Sequence, residues 1–297
     1  MNNTGVQQTW LTKSTIVIPA KNEAPGLERL LPALQLTAQG AHILVVDDGS
    51  TDNTQDVCKK YNIETVRHTR SKGNGAAIKA GARKADREIL IFMDADGQHD
   101  PEYIEPLLKE MEKGADMVVG KRDSSSQASF GRLTANRIYN LLASWMVGQS
   151  IPDLTSGFRV VYRKKLIEFL DLLPNGFSYP TTITMAFFRA GYSVEYIPIT
   201  VKKRLGKSHI NLTRDGIRFL LIIFKIGTLY SPLKIFLPVS ASLFLTGLFY
   251  YLYTFITIHR FTNMSALLFT SSLIIFLMGL VAEQINNLQY SLLSKEK

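Results

Sequence analysis

Two long apolar runs near the C-terminus limit the folds open to this chain more than any other feature. Ile235–Ile258 holds 24 residues without a charge, and Phe261–Ala282 holds another 22. At about 1.5 Å of rise per residue, a helix over either run spans a hydrocarbon layer roughly 30 Å thick. Buried helices of soluble domains of that length normally carry a charged outer face, and neither run has one. Two membrane-crossing helices are therefore expected, joined by the short link "HRFTNM".

Charge supplies the topology. Residues 1–230 contain 30 of the 34 Lys and Arg and 23 of the 25 Asp and Glu, a net +7 within the chain's +9. Two crossings return the tail, with Lys295 and Lys297, to the side of this large polar region. Basic segments are retained in the cytoplasm, so a multi-pass membrane protein with its large domain on the cytoplasmic face is expected. The first 30 residues carry no signal-peptide core. Cys58 is the only cysteine, which excludes an intrachain disulfide.

The first 200 residues alternate short β-branched runs with helical stretches. Strands are expected at Thr15–Ile18, Ile43–Val46, Glu64–Val66, Glu88–Met93 and Asp116–Val119. Helices are expected at Gly26–Ala38, Asp52–Tyr61, Gly75–Lys84 and Pro101–Lys113. Such alternation predicts an α/β domain with a mostly parallel sheet. Ligands of these sheets sit at the carboxyl ends of the strands. "IPAKNE", "VVDDGST" and "MDADGQH" all fall at such ends.

Asp94 and Asp96 are the sharpest feature. Side chains two apart on a strand project the same way, so the pair forms a hard oxygen site suited to Mg²⁺ or Mn²⁺, to which Gln98 can add a neutral oxygen. A solvated acidic turn, with Asp96 or Asp100 capping the helix that starts near Pro101, explains part of the same stretch. Asp47 and Asp48 precede a Gly-Ser-Thr turn, and one of them could receive a base imino group or a ribose hydroxyl. Pro19 marks a strand end because it has no N–H for a central ladder. Gly73 and Gly75 precede a helix without making a Walker-type loop or a dinucleotide fingerprint, while Lys72 is placed to approach a phosphate. His99 and His209 are poor candidates for a general base, and Asp153 in "IPDLTSGF" is a better one.

Taken in order, "IPAKNE", "VVDDGSTDNT", "KGNGAAIKAG", "MDADGQHDP" and "DLTSGFRVVYR" resemble the family 2 glycosyltransferases of GT-A fold, and within them the polyprenyl- and dolichyl-phosphate sugar transferases. The resemblance covers about Thr15 to Ser208. It implies that Pro19, Lys21, Glu23, Val45 and Asp47 surround the nucleotide, and that Asp94, Ala95, Asp96 and Gln98 form a metal and diphosphate site. It further implies that Arg122, Arg132, Asn136, Arg204, Lys207 and Ser208 serve the acceptor phosphate, with Arg204 also near the donor. Gly97 and Lys21 depart from the pattern common in the dolichyl-phosphate mannose enzymes, which leaves the nucleotide and the sugar open.

The implied activity is inverting transfer of a hexose, mannose or glucose, from a GDP- or UDP-sugar to a polyprenyl or dolichyl phosphate, with Asp96, Asp153 and Arg122 at the reaction centre. A family 2 enzyme acting on a hydroxyl with Asp153 as base is the alternative, and a degenerate scaffold is a third reading. No nucleic-acid partner is expected, and a homo-oligomer is neither required nor excluded. The expected organisation is a catalytic domain over 1–210, an amphipathic interfacial helix over 211–232 and a two-helix membrane region over 233–297. On a helix over Arg214–Tyr230, Arg214, Asp215, Arg218 and Lys225 share one face and the remainder is apolar.

Overall fold

A computed structural model describes residues 9–123, 130–176, 178–201, 227–228 and 231–295. The expected interfacial helix, together with Arg204, Lys207, Ser208 and His209, lies largely or wholly outside them. The chain divides into two compact units. One comprises Met1–Leu141 and Gln149–Ile210; the other comprises Leu142–Gly148 and Asn211–Lys297.

The first unit is built on a seven-stranded sheet of order β3-β2-β1-β4-β6-β5-β7. The strands are β1 (Ser14–Ala20), β2 (His42–Asp47), β3 (Glu64–Arg67), β4 (Ile89–Phe92), β5 (Met117–Arg122), β6 (Arg159–Tyr162) and β7 (Val194–Ile199). All neighbours pair in parallel except β6, which runs antiparallel between β4 and β5. Helices α1 (Ala24–Thr37), α2 (Thr54–Lys60), α3 (Asn74–Lys84) and α4 (Ile104–Glu112) follow the first, second, third and fourth strands. Beyond β5 come α5 (Phe130–Val147), the short α6 (Arg163–Ile167) and α7 (Tyr179–Arg189).

Alternation along β1 and β4 sends Ile16, Ile18, Ile89 and Ile91 into one core with Leu27, Leu31 and Leu34 of α1 and Leu107 and Leu108 of α4. The helix expected over Pro101–Lys113 begins as a separate 3₁₀ turn at Pro101–Tyr103, where Asp100 accepts from Glu102 N at 3.3 Å. Pro19 lies inside β1, not at its end. This is tolerated because β4 pairs only as far as Val17, so the missing N–H faces no ladder partner. Strands β6 and β7 were not expected from the sequence. Neither were α5, α6 and α7. Cys58 is buried, and burial, with the Asp47 charge, pushes its thiol up to about 11.

The second unit contains the two apolar runs as α8 (Pro232–Ile258) and α9 (Asn263–Lys295). Pro232–Ile258 and Asn263–Leu288 are long and apolar enough to cross a membrane. Small or polar side chains face inward at seven-residue intervals: Ser240, Gly247 and Thr254 on α8, and Ser265, Ser272, Gly279 and Asn286 on α9. This spacing lets the backbones approach closely, and Ser272 Oγ donates to the Ser240 carbonyl at 2.8 Å. Glu283 accepts from Leu233 N at 3.3 Å, satisfying one of the open donors at the start of α8. Phe249, Ile256, Leu267 and Val281 face outward.

Leu31 is fully buried between α1 and the sheet. Leu31→Ala is expected to lower the unfolding free energy by about 2–5 kcal/mol. Denaturant titration of the full chain in detergent, followed by far-UV circular dichroism, would detect the loss.

Candidate active site

The carboxyl ends of β1, β2 and β4 lie side by side, which brings residues 21–24, 47–52 and 94–99 to one edge of the sheet. The loop after β1 is fastened to the loop after β2. Asn22 adopts φ 54°, donates from its N–H to Ser50 Oγ at 2.9 Å, and accepts from Thr51 N at 2.8 Å. Glu23 N donates to Thr54 Oγ1 at 3.2 Å and Ala24 N to Asp52 at 3.2 Å. Lys21 reaches Ser71 Oγ at 3.0 Å. Val45 is buried in β2 with no exposed surface.

Asp47 and Asp48, adjacent in sequence, have different environments. Asp48 accepts from His68 Nδ1 and Ser71 Oγ, both at 2.7 Å, and from the N–H groups of Lys72 at 2.9 Å and Gly73 at 2.8 Å. Burial pushes its carboxyl up, but these donors outweigh burial and hold it below the usual range. Asp48 is therefore the anchor of the 68–73 loop. Asp47 is 1% exposed; Oδ1 accepts from Ser50 N at 2.8 Å. Its Oδ2 makes no hydrogen bond, with the Arg67 Nε at 3.5 Å. That buried oxygen is an acceptor for a ligand N–H or O–H.

Lys72 enters this arrangement through its backbone. The helix after it offers no anion site at its first turn, because Gly75 N donates to Gly176 O at 3.2 Å and Ala76 N to Asn175 O at 3.1 Å. The glycines of "KGNG" thus admit the 174–176 segment.

After β4 the chain turns through Asp94, Ala95, Asp96 and Gly97, the last at φ 70°. Two close approaches set this turn. A Cβ on Gly26 of α1 would lie 2.2 Å from the Ala95 carbonyl oxygen, and one on Gly157 would lie 2.8 Å from Asp94 Oδ2. Gln98 N donates to Asp96 Oδ1 at 3.1 Å. The Asp94 side chain is 38% exposed, with His99 Nδ1 at 4.0 Å. His99 is buried, stacks on Phe158 at 5.1 Å between ring centroids, and has its pKa lowered by burial despite the nearby Asp94 and Asp96 charges. It supports the turn as a neutral ring.

Arg122 and Asp153 form a fork-to-fork pair: Nε donates to Oδ2 at 2.9 Å, Nη2 to Oδ1 at 2.9 Å, and the Arg122 N–H to Oδ2 at 3.1 Å. Thr155 N adds a fourth donor to Asp153 at 3.1 Å. Burial raises the Asp153 pKa, and the guanidinium with these hydrogen bonds lowers it by more. The segment carrying Asp153 is gripped by Asn140 of α5, which donates to Pro152 O at 2.7 Å and accepts from Leu154 N at 3.2 Å. Arg132 and Asn136 fall in the first turns of α5, where the described side chains begin only at Arg137. Asn140, Gly26 and Gly157 were absent from the sequence reading; only the position of Gly157 inside "TSGF" hinted at its part.

A profile described as Glycosyl transferase family 2 matches residues 15–170, and one described as GtrB C-terminal hairpin matches residues 231–288. The chain is 30% identical over 216 residues to a polyprenol monophosphomannose synthase of Mycolicibacterium smegmatis, covering 67% of this chain and 81% of the relative. It is 30% identical over 227 residues to an undecaprenyl-phosphate mannosyltransferase of Micrococcus luteus, covering 68% and 93%. A dolichol-phosphate mannosyltransferase of Pyrococcus furiosus is 34% identical over 181 residues, 56% of this chain and 50% of that one. Among solved structures, glucosyl-3-phosphoglycerate synthase from Mycobacterium tuberculosis with Mn²⁺, UDP and glucosyl-3-phosphoglycerate superposes with a TM-score of 0.58 at 19% identity, over 72% of this chain and 78% of that one. At this identity the likeness establishes the shared GT-A-like fold.

The pH dependence of the Asp48 anchor is testable. A carboxyl whose folded pKa is depressed adds stability above its unfolded pKa of about 3.9, and loses it as the pH falls through the folded value. Asp48→Asn should therefore cost about 1–3 kcal/mol at neutral pH. The gap from the parent protein should narrow below about pH 4. Thermal unfolding of both proteins from pH 7 to pH 3 provides the comparison.

Proposed function

The chain belongs to glycosyl transferase family 2, and on that premise we propose that it transfers a hexose, mannose or glucose, from a nucleoside diphosphate sugar to the phosphate of a polyprenyl phosphate. The Arg122–Asp153 pair carries this reading over transfer to a hydroxyl. A base for a hydroxyl needs a pKa raised toward neutrality, whereas Asp153 is buried, held below the ordinary carboxylate range and saturated with donors. A phosphate acceptor is already anionic and needs no such base. The names of the relatives, which make a polyprenol monophosphomannose or transfer mannose with an undecaprenyl phosphate or a dolichol phosphate, support the same choice.

In this reaction an acceptor phosphate oxygen attacks the anomeric carbon from the face opposite the leaving group. The new C–O bond forms as the bond to the nucleoside diphosphate breaks, its electron pair leaves with the diphosphate oxygen, and the configuration inverts. Asp47, whose buried Oδ2 makes no hydrogen bond and is ion-paired with Arg67 at 3.5 Å, receives a ring N–H of the base, which fits uracil or guanine. Pro19, Lys21, Glu23 and Lys72 border the same edge, whereas Val45, fully buried within β2, belongs to the core beneath it. Arg122 spends Nε and Nη2 on Asp153 and Thr155, and its Nη1 makes no hydrogen bond among the described residues, leaving a donor for the acceptor phosphate. Arg132, Asn136, Arg204, Lys207 and Ser208 complete the proposed acceptor set.

The Asp94–Asp96 turn fits a hard divalent cation. It offers carboxylate oxygens in a partly exposed turn, with the Gln98 amide nearby, and no cluster of three acidic, imidazole or thiolate side chains closes a full coordination shell among the described residues. The remaining positions suit diphosphate oxygens and water. When bound, Mg²⁺ or Mn²⁺ supplies positive charge to the departing diphosphate.

The two membrane-length helices support a membrane protein, and the excess of Lys and Arg over residues 1–230 supports a cytoplasmic catalytic unit. α5 adds support: its described part exposes Ile138, Leu141 and Trp145 on one face while burying Tyr139, Ala143 and Met146 on the other. An outward apolar stripe ending in Trp suits the interfacial layer of a bilayer.

Thermal-shift titration with UDP- and GDP-sugars plus Mn²⁺ should identify one donor series, and transfer to polyprenyl phosphate should give a product labile to mild acid. An acid-stable glycosidic product would instead establish a hydroxyl acceptor. Asp96→Ala should abolish transfer without changing the unfolding temperature by more than a few degrees. Asp153→Asn separates the two chemistries. As an anchor for Arg122 it should raise the acceptor KM about tenfold and lower kcat by less than that, whereas removal of a general base costs about 10²–10⁴ in rate.

A further inference from the structure

Arg159 opens β6 in the middle of the sheet, paired with Phe92 of β4 and Val119 of β5, and is 1% exposed. Its guanidinium touches only neutral groups. Nη1 donates to Pro180 O at 3.1 Å and Thr184 Oγ1 at 3.2 Å, Nη2 donates to Ser156 O at 2.5 Å, and the Tyr179 ring lies 5.9 Å away. The Met117 sulfur is 3.9 Å from Nη1. Nε and the buried hydroxyls of Ser156, Tyr179 and Tyr196 make no hydrogen bond. Among the described residues no carboxylate stands within ion-pair distance of Arg159, although an isolated buried cation costs several kcal/mol.

A central strand of an α/β sheet is ordinarily apolar, so a charge kept there needs a reason. The opposite charges that act on it are those of the candidate site. Burial works against the guanidinium charge, while Tyr179 and Tyr196 and, after them, Asp153 and Asp94 favour it. Covalent geometry strengthens the connection. Ser156, which accepts from Nη2, precedes Gly157, whose backbone lies against the Asp94 carboxylate. Among the described residues, those whose charges act together around Asp94 are Asp94, Asp96 and Asp153 on one side of the balance and Arg122 and Arg159 on the other. Arg122 is committed to Asp153. Arg159 adds a second, fully buried positive charge beside that of Arg122, and both act on Asp94.

We propose that Arg159 is a positioning residue that acts by charge. It seats the Ser156–Gly157 backbone against Asp94, and its buried cation offsets the carboxylates so that the site accepts the donor diphosphate. This rests on the reading of Asp94 and Asp96 as the cation and diphosphate site. A fixed positive charge attracts the diphosphate and repels the metal ion, so removing it moves the two affinities in opposite directions. A purely structural residue would weaken both.

The test is isothermal titration of the full chain in detergent, with MnCl₂ alone and with UDP or GDP alone in chelator. In Arg159→Gln, nucleoside diphosphate affinity without metal should fall on the order of tenfold, while Mn²⁺ affinity holds or rises. Arg159→Lys, which keeps the charge and loses the fork, should retain both affinities at a lower unfolding temperature. If Arg159→Gln does not fold, Arg159→Met with Thr184→Val removes the charge together with a hydroxyl partner and is read in the same way. Parallel weakening of both ligands in a neutral variant, or equal losses in the Lys and Gln variants, would overturn the proposal. So would failure of both neutral variants to fold while the Lys variant folds, since the charge would then serve folding. A parent protein that binds neither ligand would instead refute the site assignment.

Discussion

Carboxylates gathered at one sheet edge repel one another, and much of the local structure answers that repulsion. The parallel register of β1 with β2 and β4 makes the gathering unavoidable, because β2 runs into Asp47 and Asp48, β4 into Asp94 and Asp96, and β1 into Lys21 and Glu23. Asp48 is neutralised by four donors from the 68–73 loop and Asp153 by the Arg122 fork. Asp47 keeps one oxygen unbonded, and Asp94 is partly exposed with a neutral histidine beside it. The carboxylates saturated by protein donors build the frame, and those with spare acceptor capacity are the ones proposed to meet ligands. The contrast between neighbours Asp47 and Asp48 is the clearest case.

Rigidity at this edge comes from backbone approaches with no room for a side chain. α1 bears on the Ala95 carbonyl through Gly26, and the start of β6 bears on Asp94 through Gly157. The turn is clamped from two directions by elements about sixty residues away on either side. An added methyl at either position must displace backbone or carboxylate, so these glycines fix the acidic turn as firmly as any hydrogen bond. Asn140 does comparable work for Asp153 by holding Pro152 and Leu154 together.

The parts legible in the sequence were those written in local periodicity. β1, β2, β3 and β4 announce themselves as β-branched runs ending in charge, and the two membrane-length helices by the absence of charge over a sufficient span. β6 is only four residues long and begins with a buried arginine, so it violates the apolar pattern of a central strand. β7 contains Glu195 and Pro198, which an edge strand tolerates and a pattern search rejects. The glycines of "KGNG" made no recognisable phosphate loop in the sequence, and their part is to admit residues 174–176. That part depends on a segment a hundred residues downstream. The pairing of Arg122 with Asp153 was equally invisible, although both residues were chosen individually from their motifs.

That pairing also decides what kind of catalyst this geometry can be. A lowered, four-donor carboxylate cannot accept a proton readily, and the one histidine at the turn is kept neutral by burial within the stack on Phe158. Among the described residues the site is therefore short of bases and well supplied with fixed charge. Such a balance suits a reaction in which both the nucleophile and the leaving group are phosphates and no proton must move. A site of this kind works by placing charges, and it must hold apart two anions that both approach the anomeric carbon. In the proposed reaction the carboxylate turn would serve the departing diphosphate and Arg122 the arriving phosphate. The apolar hairpin and the outward stripe of Ile138, Leu141 and Trp145 account for why the arriving phosphate should be carried by a lipid.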